Sequence, residues 1–138
     1  VTPSRTFNNG DIITFYTRRI DVNPVFPDRI EVRLSEDGNN LNVGFAPEDV
    51  GSFNTLLLSI NPTLSSSGYP PSWTQYTISL SGLIGPTNGR IGFRYYVTDG
   101  GPGGSNSNYI GIDSYTYYTA QAPQKMKYVV TTITEDVT

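Results

Sequence analysis

Cysteine and histidine are both absent from this chain of 138 residues. Without cysteine the chain forms no disulfide, offers no thiolate nucleophile and builds no cysteine-type zinc site. Without histidine it lacks the commonest general base, the Ser-His-Asp triad and most transition-metal ligands. Acidic neighbours remain, such as Asp28 with Glu31 and Glu48 with Asp49, but no pattern indicates that they converge in a cleft as glycosidase carboxylates do. The sequence therefore predicts a protein that is not an enzyme.

Charge is also sparse, because only 15% of the residues are Asp, Glu, Lys or Arg. Nine basic residues are scattered among twelve acidic ones, which gives a formal net charge of −3. A nucleic-acid partner requires a concentrated basic surface, so we expect no nucleic-acid binding. No apolar run approaches the roughly 20 residues needed to cross a bilayer, so we expect no membrane span in this segment.

Aromatic and turn-forming residues are abundant instead. The chain has ten Tyr, six Phe and one Trp, whose large apolar rings suit sandwich cores and sheet faces. Fourteen Gly and ten Pro stand mostly between the apolar runs. Many short strands separated by frequent turns predict an all-β protein, and we expect an antiparallel β-sandwich.

Residues with period-two alternation mark the strands. In residues 12–18, Ile13, Phe15 and Thr17 share one face, and in residues 29–35 we expect Ile30, Val32 and Leu34 to point inward, with Glu31 and Arg33 outward. Asp37-Gly38 is a favoured two-residue hairpin pair, so residues 41–45 are predicted to return as a strand beside residues 29–35. Further strands are predicted at residues 2–7 and 53–60, with a long loop at residues 61–71.

The block from residue 72 to residue 118 gives three more predicted strands. Its first run begins at Trp73, which is followed by the alternating residues Tyr76, Ile78 and Leu80. The second run spans residues 90–97 and the third residues 109–113. Beyond it, residues 120–125 read as a short linker, and residues 126–138 hold an extra strand rich in β-branched residues. We therefore divide the chain into a sandwich at residues 1–119, the linker and the extra strand.

Several of these segments, in this order and spacing, resemble the choice-of-anchor J domain, which is related to the cleaved-adhesin and MAM-like jelly rolls of secreted bacterial proteins. The segments that carry the resemblance are Thr2-Pro3, NGD at 9–11 followed by FYTR at 15–18, PDRIEVRLS at 27–35, LLLSINP at 56–62, the Trp73 strand, GRIGFRY at 89–95 and YIGID at 109–113. Together they cover about residues 1–118.

The resemblance implies a jelly-roll β-sandwich that is exported to the cell surface and has no general catalytic activity. The chain departs from the family pattern at both ends. The family has further sequence with at least one strand before the Thr-Pro pair, whereas here the pair stands at residues 2 and 3, and residues 126–135 lie beyond the usual last strand. We therefore expect a sandwich that lacks an N-terminal strand and has a spare one at its C-terminus.

A structural calcium ion is one expectation at the late strand. Related jelly rolls bind calcium through an Asp in this strand, here Asp113, and Asp99 and Asn106 in the preceding Gly-rich loop would supply further oxygens. The alternative is that Asp113 makes local hydrogen bonds at the sheet edge.

The aromatic residues allow two interpretations. Trp73 and Tyr69 would form part of a sugar-stacking surface, as in carbohydrate-binding sandwiches, or the aromatic side chains would serve mainly core and sheet-face packing.

The extra strand suggests assembly. A sandwich that lacks a strand leaves backbone groups unpaired at an edge, and such an edge invites a strand from another chain. Tyr128, Val130 and Ile133 are the candidate assembly residues. Head-to-tail donation would build a filament, whereas folding back would complete the chain's own sheet. We predict an extracellular structural or adhesive module of a bacterial surface or matrix, with self-association or other surface proteins as partners; carbohydrate binding is the alternative.

Overall fold

The computed structural model describes residues 1–120, and the extra strand predicted at residues 126–138 lies outside them. Within that range the protein is all-β. The strands are β1 (Arg5–Phe7), β2 (Ile12–Arg19), β3 (Ile30–Ser35), β4 (Thr55–Ile60), β5 (Thr74–Ser79), β6 (Thr87–Tyr95) and β7 (Ile110–Tyr118).

The strands form two antiparallel sheets. The first has the order β1-β6-β3-β4 and the second has the order β5-β2-β7. The apolar faces of the two sheets pack against each other, so the fold is the antiparallel β-sandwich that the alternating runs predict.

Side chains from both sheets meet in a single core. The rings of Phe15 on β2 and Phe93 on β6 meet edge to face with centroids 5.1 Å apart, and Phe15 also stacks on Tyr76 of β5 at 5.8 Å. Phe7 of β1 meets Tyr117 of β7 at 5.6 Å. The buried members of this core are Phe7, Ile13, Phe15, Ile30, Val32, Leu34, Ile60, Tyr69, Ile78, Leu80, Leu83 and Ile91. The predicted inward faces of residues 12–18 and 29–35 are thus confirmed.

The predicted return strand at residues 41–45 is wrong. Residues 36–54 contain no strand, and β3 pairs instead with β4 and β6. Gly38 donates its N–H to the carbonyl of Asn88 rather than closing a hairpin, and the side chains of Asn40 and Asn42 accept backbone N–H groups two residues ahead of themselves. Such local side-chain bonds compete with strand pairing.

The β3–β4 connection instead covers the outer face of the four-stranded sheet. Phe53, which is 4% exposed, lies directly over Gly92 of β6. Arg33 donates to the Phe53 carbonyl, and Arg94 donates to the Pro47 carbonyl. Glu31 therefore points outward as predicted but is buried beneath this connection.

Two arginines hold the Glu31 carboxylate. Its Oε2 atom lies 2.7 Å from Arg33 Nε and 2.8 Å from Arg94 Nη1. Burial alone would raise the Glu31 pKa, but the hydrogen bonds and charges of the two guanidinium groups outweigh burial and lower it. This ion triad fixes the outer surface of β3 and β6 beneath the connection.

A buried carboxylate joins the end of β7 to the turn before β2. Asp11 is 1% exposed and accepts hydrogen bonds from Asn8 N at 2.7 Å, from Ala120 N at 2.7 Å and from the Tyr117 hydroxyl. Burial would raise the Asp11 pKa, but these hydrogen bonds outweigh burial and hold the pKa below its ordinary value. The chain just after β7 is therefore held to the turn before β2 at Ala120.

Replacing Asp11 with Asn should lower the free energy of unfolding at pH 7 by about 2 kcal/mol, because hydrogen bonds to a charged acceptor are weakened. The depressed pKa means that the carboxylate contribution is fully present above about pH 4 and is lost as the pH falls through the lowered native-state value. Urea unfolding at pH 7 and in acid should thus show less acid destabilisation for Asp11→Asn than for the wild type. Asp21→Asn, at an exposed aspartate, is the control, and equal acid sensitivity of Asp11→Asn and wild type would refute this role.

Gly92→Ala should also destabilise the fold, by about 2 kcal/mol, because the new Cβ would lie 2.9 Å from Cδ1 of Phe53 and would displace a buried ring. Gly103→Ala is the matched control, since a Cβ there meets no atom within 4 Å. Chemical denaturation of the two variants provides the comparison, and equal stabilities would show that the Phe53 contact does not hold the connection in place.

Candidate functional site

The outer edge of β7 is the first candidate site. Within residues 1–120, β7 pairs with β2 on one side and with no strand on the other. Ile112 faces inward beside Thr17, yet it is 41% exposed at this edge. The hydroxyl of Tyr115 is buried without a hydrogen-bond partner in the described part of the chain. As far as residue 120, the edge therefore combines backbone groups that pair with no strand with an incompletely covered apolar side.

The other three edges differ from β7. β1 has only three residues. β5 lies on the opposite side of the sandwich from β7, since Tyr76 of β5 and Tyr115 of β7 flank the central pair Phe15 and Phe93. β4 also lies on that side, because it is the edge opposite β1, whose Phe7 contacts Tyr117 of β7. β7 has nine residues, and the chain continues directly from its end toward residues 121–138. It is thus the edge nearest in sequence to the predicted extra strand.

An irregularity divides β7 into two halves. Its pairing with β2 shifts register between Thr14 and Tyr16, and Ser114 has a φ of 53° with its N–H donated to the Asp113 carboxylate at 2.6 Å. A bulge of this kind bends an edge strand and interrupts pairing locally. A strand added to β7 would therefore pair in two short stretches on either side of Ser114.

The outer face of the three-stranded sheet is the second candidate site. The register places side chains in rows across β5, β2 and β7, with Gln75, Tyr16 and Asp113 in one row and Ser79, Ile12 and Tyr118 in another. At the end of the face, Trp73 just before β5 lies against Gly111 of β7, the residue that pairs with Arg18 of β2. No connection comparable to residues 36–54 is seen over this face in the described range.

Trp73 forms one wall of a cleft at that end. A Cβ on Gly111 would lie 2.7 Å from Cη2 of the indole, so only glycine allows the ring to lie this close to β7. The cleft has a volume of about 350 Å³ and is lined by Arg18, Arg19, Ile20, Trp73, Tyr109 and Gly111. Trp73 is 48% exposed and Tyr109 is 61% exposed, so both rings present surface to solvent.

Tyr69, the second residue predicted to bind a ligand, occupies a different place. It is 1% exposed, its hydroxyl lies 2.7 Å from Thr17 Oγ1, and Thr17 donates in turn to the Gly111 carbonyl. Burial raises the pKa of the Tyr69 hydroxyl. Its position does not support a surface stacking role, because the ring belongs to the core.

Of the three predicted calcium ligands, Asp99 and Asn106 lie together in the Gly-rich loop, where Asn106 N donates to the Asp99 carbonyl at 3.0 Å, and Asp113 lies in β7. The side chain of Asp99 accepts the N–H of Ser105, and the side-chain amide of Asn106 donates to the Thr98 carbonyl, so both organise the Gly-rich loop. The side chain of Asp113 accepts the N–H of Ser114 in β7. Within residues 1–120, no three acidic side chains form a group that could hold a metal ion. Calcium takes 6–8 oxygen ligands, often including amide and backbone oxygens, so the calcium site stays a prediction.

A carboxylate that the sequence did not single out for this purpose organises the same loop. Asp28 is fully buried, and its Oδ1 accepts the Tyr95 hydroxyl at 2.6 Å and Asn108 N at 2.9 Å. Burial and the hydrogen bond to Asp28 raise the pKa of Tyr95 to about 12. Asp28 thus fixes the return of the loop to the start of β7, and sequence gives no sign of it because its partners lie 67 and 80 residues away.

The predicted assembly residues Tyr128, Val130 and Ile133 lie outside the described residues. Among residues 1–120, the structure contains no helix with the length and apolarity required to span a bilayer.

Comparisons with known proteins found no matching family model, no matching curated protein and no matching solved structure. The resemblance to the choice-of-anchor J domain therefore stays a prediction that rests on the motifs in the sequence.

Proposed function

We propose that this protein is a non-catalytic structural or adhesive module of a bacterial cell surface or extracellular matrix, and that its copies join when residues 126–135 of one copy add as a strand to β7 of the next. The observation that carries the proposal is the outer edge of β7, which pairs with no strand within residues 1–120 and beyond which the chain continues from Tyr118 to residue 138.

The strand orders support this assignment of the edge. An eight-stranded jelly roll divides its strands between two sheets in a double Greek key, and its first strand pairs with its last. The orders β1-β6-β3-β4 and β5-β2-β7 match strands two to eight of such a roll. In such a roll, the remaining strand would pair with the outer edge of β7, next to Ile112 and Tyr115.

The composition of residues 126–135 suits that position. Val129, Val130 and Ile133 are β-branched residues that favour strands, and an extended strand added to a sheet edge gains main-chain hydrogen bonds along its length. Pairing with a neighbour is heterologous and does not close, so repeated addition builds a filament.

The proposed location rests on the sequence motifs. The choice-of-anchor J domain, which the segments at residues 27–35 and 109–113 resemble, is typically exported and often followed by a cell-surface anchoring signal. A module at this location would work through sheet-edge contacts rather than through a reactive group.

Deletion of residues 121–138 should abolish assembly while leaving the sandwich folded, because it keeps Ala120 and its hydrogen bond to Asp11. Size-exclusion chromatography with light scattering, together with electron microscopy of the purified protein, should show filaments for the full chain and monomers for the deletion. A synthetic peptide of residues 126–138 should bind the shortened protein, as followed by fluorescence anisotropy. Filaments formed by the shortened protein, or a monomeric full chain whose tail pairs with its own β7, would refute donation between copies.

The acceptor edge can be tested separately with Ile112→Lys, which places a charge on the inward side of β7 and should block both peptide binding and filament growth. Thr77→Lys is the matched control, because Thr77 is exposed on β5 at the other edge of the same sheet. If the two lysine variants assemble equally well, β7 is not the acceptor.

A further inference from the structure

We infer that the cleft between Trp73 and Tyr109 binds a uronic acid residue of an acidic polysaccharide. This inference gives the carbohydrate-binding alternative a specific site and ligand class, and it does not depend on strand addition at β7.

On the outer face of each sheet an aromatic ring packs on a glycine, but the two rings differ in their exposure to solvent. Phe53 lies over Gly92 on the four-stranded sheet, and the β3–β4 connection to which it belongs leaves it 4% exposed. Trp73 lies over Gly111 on the three-stranded sheet and remains 48% exposed. Burial of the indole is therefore incomplete in the described part of the chain. The exposed part of the ring, which packs on Gly111 of the sheet, is accessible to a ligand.

The shape and chemistry of the cleft suit a sugar ring. A volume of about 350 Å³ lies within the range of small-ligand sites. Trp73 and Tyr109 supply amphipathic rings on which the C–H face of a pyranose can stack. The indole packs closely on Gly111, and the main chain of Tyr109 is held by the hydrogen bond from Ile20 N to its carbonyl. Tyr and Trp side chains have only two rotatable side-chain bonds, so stacking on them costs little conformational entropy.

Charge points to an acidic sugar rather than a neutral one. Arg18 uses its Nε in a hydrogen bond to the Arg19 carbonyl, and within residues 1–120 its two terminal nitrogens make no hydrogen bond or ion pair. Arg19 lies 3.7 Å from Asp21, and Asp113 lies in the next row of the sheet without pairing with Arg18. The guanidinium of Arg18 is therefore available to bind a carboxylate in the two-bond geometry that arginine favours.

The test is a binding titration of the full-length protein against polygalacturonate, with fully methyl-esterified polygalacturonate as the uncharged probe of the same backbone. The wild type should bind the acid form at least ~10-fold more tightly than the ester, and added salt should weaken binding to the acid. Trp73→Ala should reduce affinity for the acid form by ~10-fold or more, and Arg18→Gln should remove the preference for acid over ester.

Tyr118→Ala is the matched control, because Tyr118 is exposed on the same face but lies at its far end, in the row of Ile12. Gly111→Ala is a second variant, which displaces the indole while keeping its ring and should weaken binding as well. Size-exclusion chromatography of every variant shows whether its assembly state has changed, so that a loss of glycan binding is not confused with a loss of assembly. The inference is overturned by no binding to polygalacturonate, by equal binding of acid and ester, or by equal losses in Trp73→Ala and Tyr118→Ala.

Discussion

Contact between Phe15 and Phe93 at the centre of the sandwich is the interaction on which the rest of the structure depends. These rings come from the middle strands of opposite sheets, and Tyr76 and Tyr115 pack on either side of them. This cluster fixes the separation and alignment of the sheets, because aromatic pairs favour a narrow set of offset and edge-to-face geometries. It also places β5 and β7 at the two flanks of the three-stranded sheet.

The two outer faces of the sandwich differ because the chain takes different paths between the strands of the two sheets. Phe53, in the β3–β4 connection, fills the space above Gly92. Arg33 and Arg94 bind backbone carbonyls of the same connection and hold it to the sheet. The connections beside the three-stranded sheet do not cover its face within residues 1–120. One outer face of the sandwich is therefore occupied by the protein's own chain, whereas the described residues leave the other face, on which Trp73 lies, without such a cover.

The strands with strong alternation are predictable from the sequence, whereas segments whose local conformation depends on long-range contacts are not. The runs around Phe15 and Ile91 alternate, and both are strands as predicted. The segment at residues 41–45 also has an apolar pattern, but Asn and Asp side chains satisfy its backbone locally, which periodicity does not reveal. The placement of Tyr69 in the core and of Trp73 over Gly111 depends on which strands become neighbours, and composition alone does not decide that.

The hydrogen bond from Ala120 N to Asp11 has a mechanical consequence. Tension applied to the chain beyond Ala120 reaches the end of β7 and, through the carboxylate, the turn that leads into β2. β7 runs antiparallel to β2 along most of its length, so a pull directed along the strands loads many ladder hydrogen bonds at once instead of opening them one after another. A subunit linked to its neighbours in this way would resist stretching through the centre of a sheet rather than through a loose terminus.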